Sequence, residues 1–219
     1  MNFFGHALIA QRDEATRGPI RAEFVLGAML PDFASMLRTR PPFSTLDVLS
    51  AGVSFHHRTD DAFHGSRFFL EFSRQASSFL SDRGLPRGAS RAVAHVGVEL
   101  LLDAALAREN AANEAYLSAV ACALTERTRG HFQWQTGDFS KRFEHLCHSL
   151  RERGPYPANP TTELVAERLR SILADRPRLA MDERGLSVVR EWVSSARRQI
   201  TSDAPLLLRE VEQRLHPLR

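Results

Sequence analysis

The chain has 219 residues, 43% of them apolar and 25% charged, with a formal net charge of +3. It is therefore long enough and apolar enough to bury a core as one large or two small globular domains, and intrinsic disorder is excluded. Lys141 is the sole lysine among mostly arginine cations, with no concentrated basic run, which argues against a nucleic-acid binder.

In chain order, residues 2–12 read as a helix with Phe4, Leu8 and Ile9 on one side. The apolar run Arg21 to Leu30 reads as a helix that stops at Pro31-Asp32. Residues 38–46 read as a loop. A helix is expected over 48–64, with Phe68, Phe69 and Phe72 extending the apolar face beyond Gly65. Residues 83–88 form a turn, and Ala89 to Leu106 is a strong helix. Further helices are expected over 113–128 and 139–152, with a break at 130–138. The segment 154–160, rich in proline, reads as a linker. Helices over 161–174, 185–200 and 203–215 complete the chain, the first capped by Thr161-Thr162-Glu163. With no period-2 strand and no internal repeat, the expected class is all-α, with seven to nine helices in one domain or a division near 154–160.

No apolar stretch approaches the roughly 18–20 residues of a membrane span. Met1–His6 lacks the basic segment and cleavage site of a signal peptide. A cytoplasmic protein is expected, with Cys122 and Cys147 as reduced thiols.

Two stretches concentrate metal-type ligands at helical spacing. In the first, His56, His57, Asp60, Asp61 and His64 fall within nine residues among Val53, Phe55, Phe63, Phe68 and Phe69. In the second, His95, Glu99 and Asp103 recur every four residues amid Val93, Val96, Val98, Leu100, Leu101 and Leu102. A solvated polar face would account for the first, and an internal salt bridge to Arg58 or Arg91 for the second. Burial among such neighbours instead requires pairing or a metal. His6 lies in an apolar helix, as a satisfied histidine or a ligand. Asp32 follows Pro31, as the cap of a short helix or a further ligand. Mixed imidazole and carboxylate ligation suits one or two ions of Mn²⁺, Fe²⁺ or Zn²⁺, or Mg²⁺ where carboxylates dominate. Asp61 is then available as a general base and Arg58 as a clamp for a phosphate oxygen. No nucleophile elbow, Walker loop or Rossmann glycine pattern is present.

Five segments in order resemble bacterial acyl carrier protein phosphodiesterases. They are Met1–His6, Ala22 through Asp32, Gly52-Val53 with His56–Asp60, Leu102–Arg108, and Ala174–Leu179. The resemblance runs over nearly the whole chain. It implies an HD-like, all-helical metal-dependent phosphohydrolase that releases 4′-phosphopantetheine from acyl carrier protein or cleaves a related phosphodiester. It also implies a metal shell of His6, Asp32, His56 or His57, Asp60 and Asp103. The family's histidine after the helix aspartate falls on Ala104 here, while His64, His95 and Glu99 are additional ligand types. His95-x-x-x-Glu99 and Gly27-x-x-x-Pro31-Asp32 also resemble zinc-dependent phospholipase C-like proteins. A zinc-dependent phospholipase C-like hydrolase and a non-enzymatic helical protein that keeps the scaffold are the alternatives. An arginine rim including Arg67, Arg87, Arg91, Arg176 and Arg178 would suit an acidic carrier protein.

Overall fold

The computed structural model describes residues 1–135, 139–154 and 157–216. Among these the protein is all-α. Its ten helices are α1 (Phe3–Ala15), α2 (Ala22–Met36), α3 (Asp47–His64), α4 (Arg67–Asp82), α5 (Arg87–Leu106), α6 (Asn110–Ala123), α7 (Glu126–Arg129), α8 (Ser140–Arg153), α9 (Thr162–Leu173) and α10 (Glu183–Leu215). The one sheet among the described residues pairs β1 (Phe43–Ser44) with β2 (Phe132–Gln133), antiparallel, Phe43 opposite Gln133. No helix among the described residues is long and apolar enough to cross a membrane.

The chain divides into two compact units, each built from two segments. The first comprises Met1–Ala62 and Glu109–Tyr156; the second comprises Phe63–Arg108 and Pro157–Arg219. One boundary falls in the expected linker, of which Pro155 and Tyr156 lie outside the described residues.

In the first unit, α1, α2 and α6 pack on one another, and α8 packs on α6. Asn2 caps α1, its side chain accepting from the Phe3 amide at 3.0 Å. Phe4 packs against Tyr116, whose hydroxyl donates to the Leu150 carbonyl at 3.0 Å. Expectation and structure part at Pro31. Helix α2 runs on through it to Met36, although proline cannot bond the Gly27 carbonyl four residues back. Phe33 and Ala34 are fully buried beyond it, and that burial offsets one lost hydrogen bond.

In the second unit, α5 packs against α4, α9 and α10, and α10 also packs on α4 and α9. Thr161 caps α9 by accepting from the Leu164 amide at 3.1 Å, as its sequence suggests. The two expected C-terminal helices are one. Helix α10 continues through Pro205 because Ile200, Ala204, Leu207, Leu208 and Val211 extend a single buried stripe. Gly97 on α5 seats the Trp192 ring of α10, since a Cβ there would lie 2.5 Å from Cζ3.

Candidate metal centres

The first centre is assembled by α1, α2 and α3. Helices α2 and α3 cross at two glycines. A Cβ on Gly27 would lie 2.9 Å from the Gly52 Cα, and one on Gly52 would lie 2.8 Å from the Gly27 Cα, closer than real atoms approach. Only residues without a Cβ allow this crossing. One turn beyond Gly52, the contact delivers His56 Nδ1 to the Ala28 carbonyl oxygen, at 2.9 Å.

That hydrogen bond fixes a tautomer. A carbonyl only accepts, so His56 carries its proton on Nδ1 and leaves a lone pair on Nε2. His6 is held the same way. Thr59 Oγ1 donates to the His56 carbonyl at 2.8 Å and accepts from His6 Nδ1 at 2.7 Å. His6 Nε2 is buried with no hydrogen-bond partner. The two rings lie 3.9 Å apart between centroids. Ligand atoms of His6, His56 and the Asp32 carboxylate all lie within 4.8 Å of one another.

Burial keeps both imidazoles neutral. It pushes His6 down to about 3, against the opposing pull of Asp60, and it lowers His56 as well. Neutral imidazoles oriented by an acceptor on the far nitrogen are the usual form of metal-ligating histidine. Asp60, one turn after His56, places Oδ1 3.7 Å from His6 Nε2 and 3.0 Å from the Met1 ammonium. The donor set therefore fits a divalent ion: two imidazole nitrogens and one carboxylate, with a second carboxylate alongside.

Of the adjacent pair, His56 faces this centre and His57 is exposed. Asp61 and Arg58 are exposed too, on the same side of α3 as His57, and the Arg58 guanidinium sits 5.2 Å from the Phe55 ring centroid. The roles of base and phosphate clamp expected of them find no support in this placement. Asp103 is buried in the second unit, one turn beyond Glu99 on α5. Thr59 and the Ala28 carbonyl are the groups that sequence reasoning missed. A buried threonine between ligand positions was a readable hint, whereas a backbone carbonyl has no sequence signature.

The second centre lies within the second unit. His64, the last residue of α3, meets His95 and Glu99, which stand four residues apart on α5. His64 Nε2 is 3.3 Å from His95 Nε2, and each is 3.4 Å from Glu99 Oε1. Ser66 caps α4 through the Phe69 amide at 3.2 Å and so sets the Phe69 ring edge-on to both imidazoles, at 4.8 and 5.2 Å. Burial pushes the Glu99 carboxyl up, but its contacts with His64 and His95 outweigh that and hold it below the ordinary range.

His95 also lines an open cleft of about 730 Å³ whose wall includes Arg74, Arg87, Arg91 and Arg176 and no acidic residue. Three of these arginines belong to the rim expected from the sequence. Arg74 is paired with Glu71 at 2.7 Å. The cysteines are free, and burial raises the Cys147 thiol to about 12, which leaves it inert as a nucleophile. No known family model, curated protein or solved structure matches this chain.

Proposed function

We propose that this protein is a divalent-metal-dependent hydrolase acting on phosphodiesters, with His6, His56 and Asp32 as its metal ligands. The observation that carries the reading is the convergence of two tautomer-fixed imidazoles and the Asp32 carboxylate, their ligand atoms within 4.8 Å of one another, with His6 Nε2 buried beyond hydrogen-bond distance of any group. A buried polar atom left bare costs about 1–3 kcal/mol, a cost that a ligated ion removes.

A bound divalent ion supplies Lewis-acid polarisation of a phosphoryl oxygen and a water of lowered pKa. The chain's own residues do the rest. Thr59 and the Ala28 carbonyl hold the two imidazoles in their productive tautomer. Asp32 brings negative charge to balance the cation. Asp60 Oδ1, 3.7 Å from His6 Nε2, sets a second carboxylate beside the two imidazoles. The resemblance of five ordered segments to acyl carrier protein phosphodiesterases suggests acyl carrier protein as the substrate. The arginines at 87, 91 and 176 give the chain a cationic cleft of the kind an acidic carrier protein would meet.

The test is hydrolysis of bis(p-nitrophenyl) phosphate, and release of phosphopantetheine from holo acyl carrier protein, by the full chain with added Mn²⁺. The reading expects turnover that chelation abolishes and that falls at least about 100-fold in His6→Ala and Asp32→Asn. Metal-independent turnover, or none with either substrate, would overturn it.

A further inference from the structure

We propose that His64 Nε2, His95 Nε2 and Glu99 Oε1 form a second metal site that selects zinc and keeps a fourth position open to an anionic ligand. This site shares no residue with the first. The three atoms make a nearly equilateral triangle with sides of 3.3, 3.4 and 3.4 Å. Ligands on one face of a tetrahedron lie about 1.6 bond lengths apart, so zinc bonds of about 2.0–2.1 Å set them about 3.3–3.4 Å apart. An octahedral ion such as Mg²⁺ at a similar bond length sets neighbouring ligands about 2.9 Å apart. A Ca²⁺ ion tolerates the wider spacing but takes oxygen ligands, and two of these three atoms are imidazole nitrogens.

The triangle is wider than direct hydrogen bonds between these atoms would make it. Imidazole N–H groups bound to a carboxylate settle at about 2.7–2.9 Å. Here both nitrogens stand 3.4 Å from one and the same oxygen, and they also face each other. The site is pre-shaped: Phe69 braces both rings, which lie within 15° of parallel. Two imidazoles and one carboxylate make three protein ligands, the number that leaves a tetrahedral zinc one exchangeable position. The side chain of His95 is 49% exposed, and His95 lines the cleft with Arg74, Arg87, Arg91 and Arg176. An arginine-lined cleft beside a zinc ligand favours a phosphate or phosphoryl group as the incoming ligand.

Cobalt(II) reports this geometry directly, because tetrahedral cobalt absorbs far more strongly in the visible than octahedral cobalt. Metal-free full-length protein is titrated with Co²⁺, then with Zn²⁺, Mg²⁺ and inorganic phosphate. Intense visible bands are expected in the wild type and in His6→Ala. They should be lost in His95→Ala and Glu99→Gln, with helix content by circular dichroism unchanged. One equivalent of Zn²⁺ should bleach them and millimolar Mg²⁺ should not. Phosphate should shift them, and less so in Arg91→Ala. Weak, octahedral-type spectra in the wild type, or strong bands that survive in both His95→Ala and Glu99→Gln, would overturn the site. Bands that ignore phosphate would overturn the open fourth position. Because His6→Ala removes the first centre, its spectrum separates the failure of this proposal from the failure of the hydrolase reading.

Discussion

His56 Nδ1 donates to the Ala28 carbonyl oxygen across 2.9 Å, linking a side chain on α3 to the backbone of α2 one turn beyond the contact of Gly27 with Gly52. The position of a metal-type ligand therefore depends on how closely two backbones approach. Gly52→Ala should disturb that approach. Alanine gains up to about 1 kcal/mol in helix propensity over glycine. Its Cβ would press into the Phe24 carbonyl and the Gly27 Cα, both backbone, so the helices must separate. The expected net loss is about 1–3 kcal/mol in urea unfolding, together with weaker metal binding at the first centre by calorimetry.

Thr59→Val keeps the shape of a fully buried side chain and removes the acceptor of the His6 ring. A buried N–H left unsatisfied costs about 1–3 kcal/mol. Loss of the group that orients a ligand also lowers metal affinity about 10–100-fold. Calorimetric titration with Mn²⁺ measures the second effect separately from the first. Equal affinity in the two proteins would show that Thr59 does not set the tautomer.

Glu14, nearly fully buried on α1, receives a bidentate pair of bonds from Arg21, each 2.7 Å long. Those hydrogen bonds hold its carboxyl below the ordinary value of 4.5. The unfolded chain takes up this proton first as pH falls. The stabilisation is thus complete above about pH 4.5, the ordinary value, and fades as pH drops through the lowered folded value. Urea midpoints of the wild type should fall faster below pH 5 than those of Glu14→Gln, which should start lower at pH 7. Parallel curves would exclude this contribution.

Gly97→Ala places a Cβ 2.5 and 2.6 Å from two atoms of the Trp192 ring. Overpacking of this kind costs about 1–3 kcal/mol. Because the contact is with an indole, tryptophan fluorescence should shift in the folded state. The melting temperature should fall without a change in metal stoichiometry.

Much of this architecture was legible from periodicity. The helix bearing His56 was placed to within a residue, and the cap at Thr161 stands where Thr161-Thr162-Glu163 suggested. The helix expected over 113–128 is in fact two, α6 ending at Ala123 and α7 starting at Glu126, and two further boundaries are overridden by burial. Pro31 is a local stop signal, and the expected break at 201–202 a polar interruption, each overridden because buried residues continue on both sides. The candidate sites were legible as residue types and not as groupings. His64 and Glu99 were read from separate stretches, and only tertiary structure brings them together. The choice between His56 and His57 turned on which side of α3 is buried. Arg58 and Asp61 were chosen for chemistry at a spacing that puts them on the exposed side. The backbone carbonyl that orients His56 could not be read from any residue type.

The most direct test of the central claim is the metal stoichiometry of tag-free protein by inductively coupled plasma mass spectrometry, for the wild type and for Asp32→Ala. The wild type is loaded with Mn²⁺ and then passed through a desalting column. The wild type should retain close to one equivalent of manganese, which Asp32→Ala loses while still folding. Wild-type protein that retains no divalent metal after loading, or a variant that retains as much as the wild type, would contradict the metal centre at His6, Asp32 and His56.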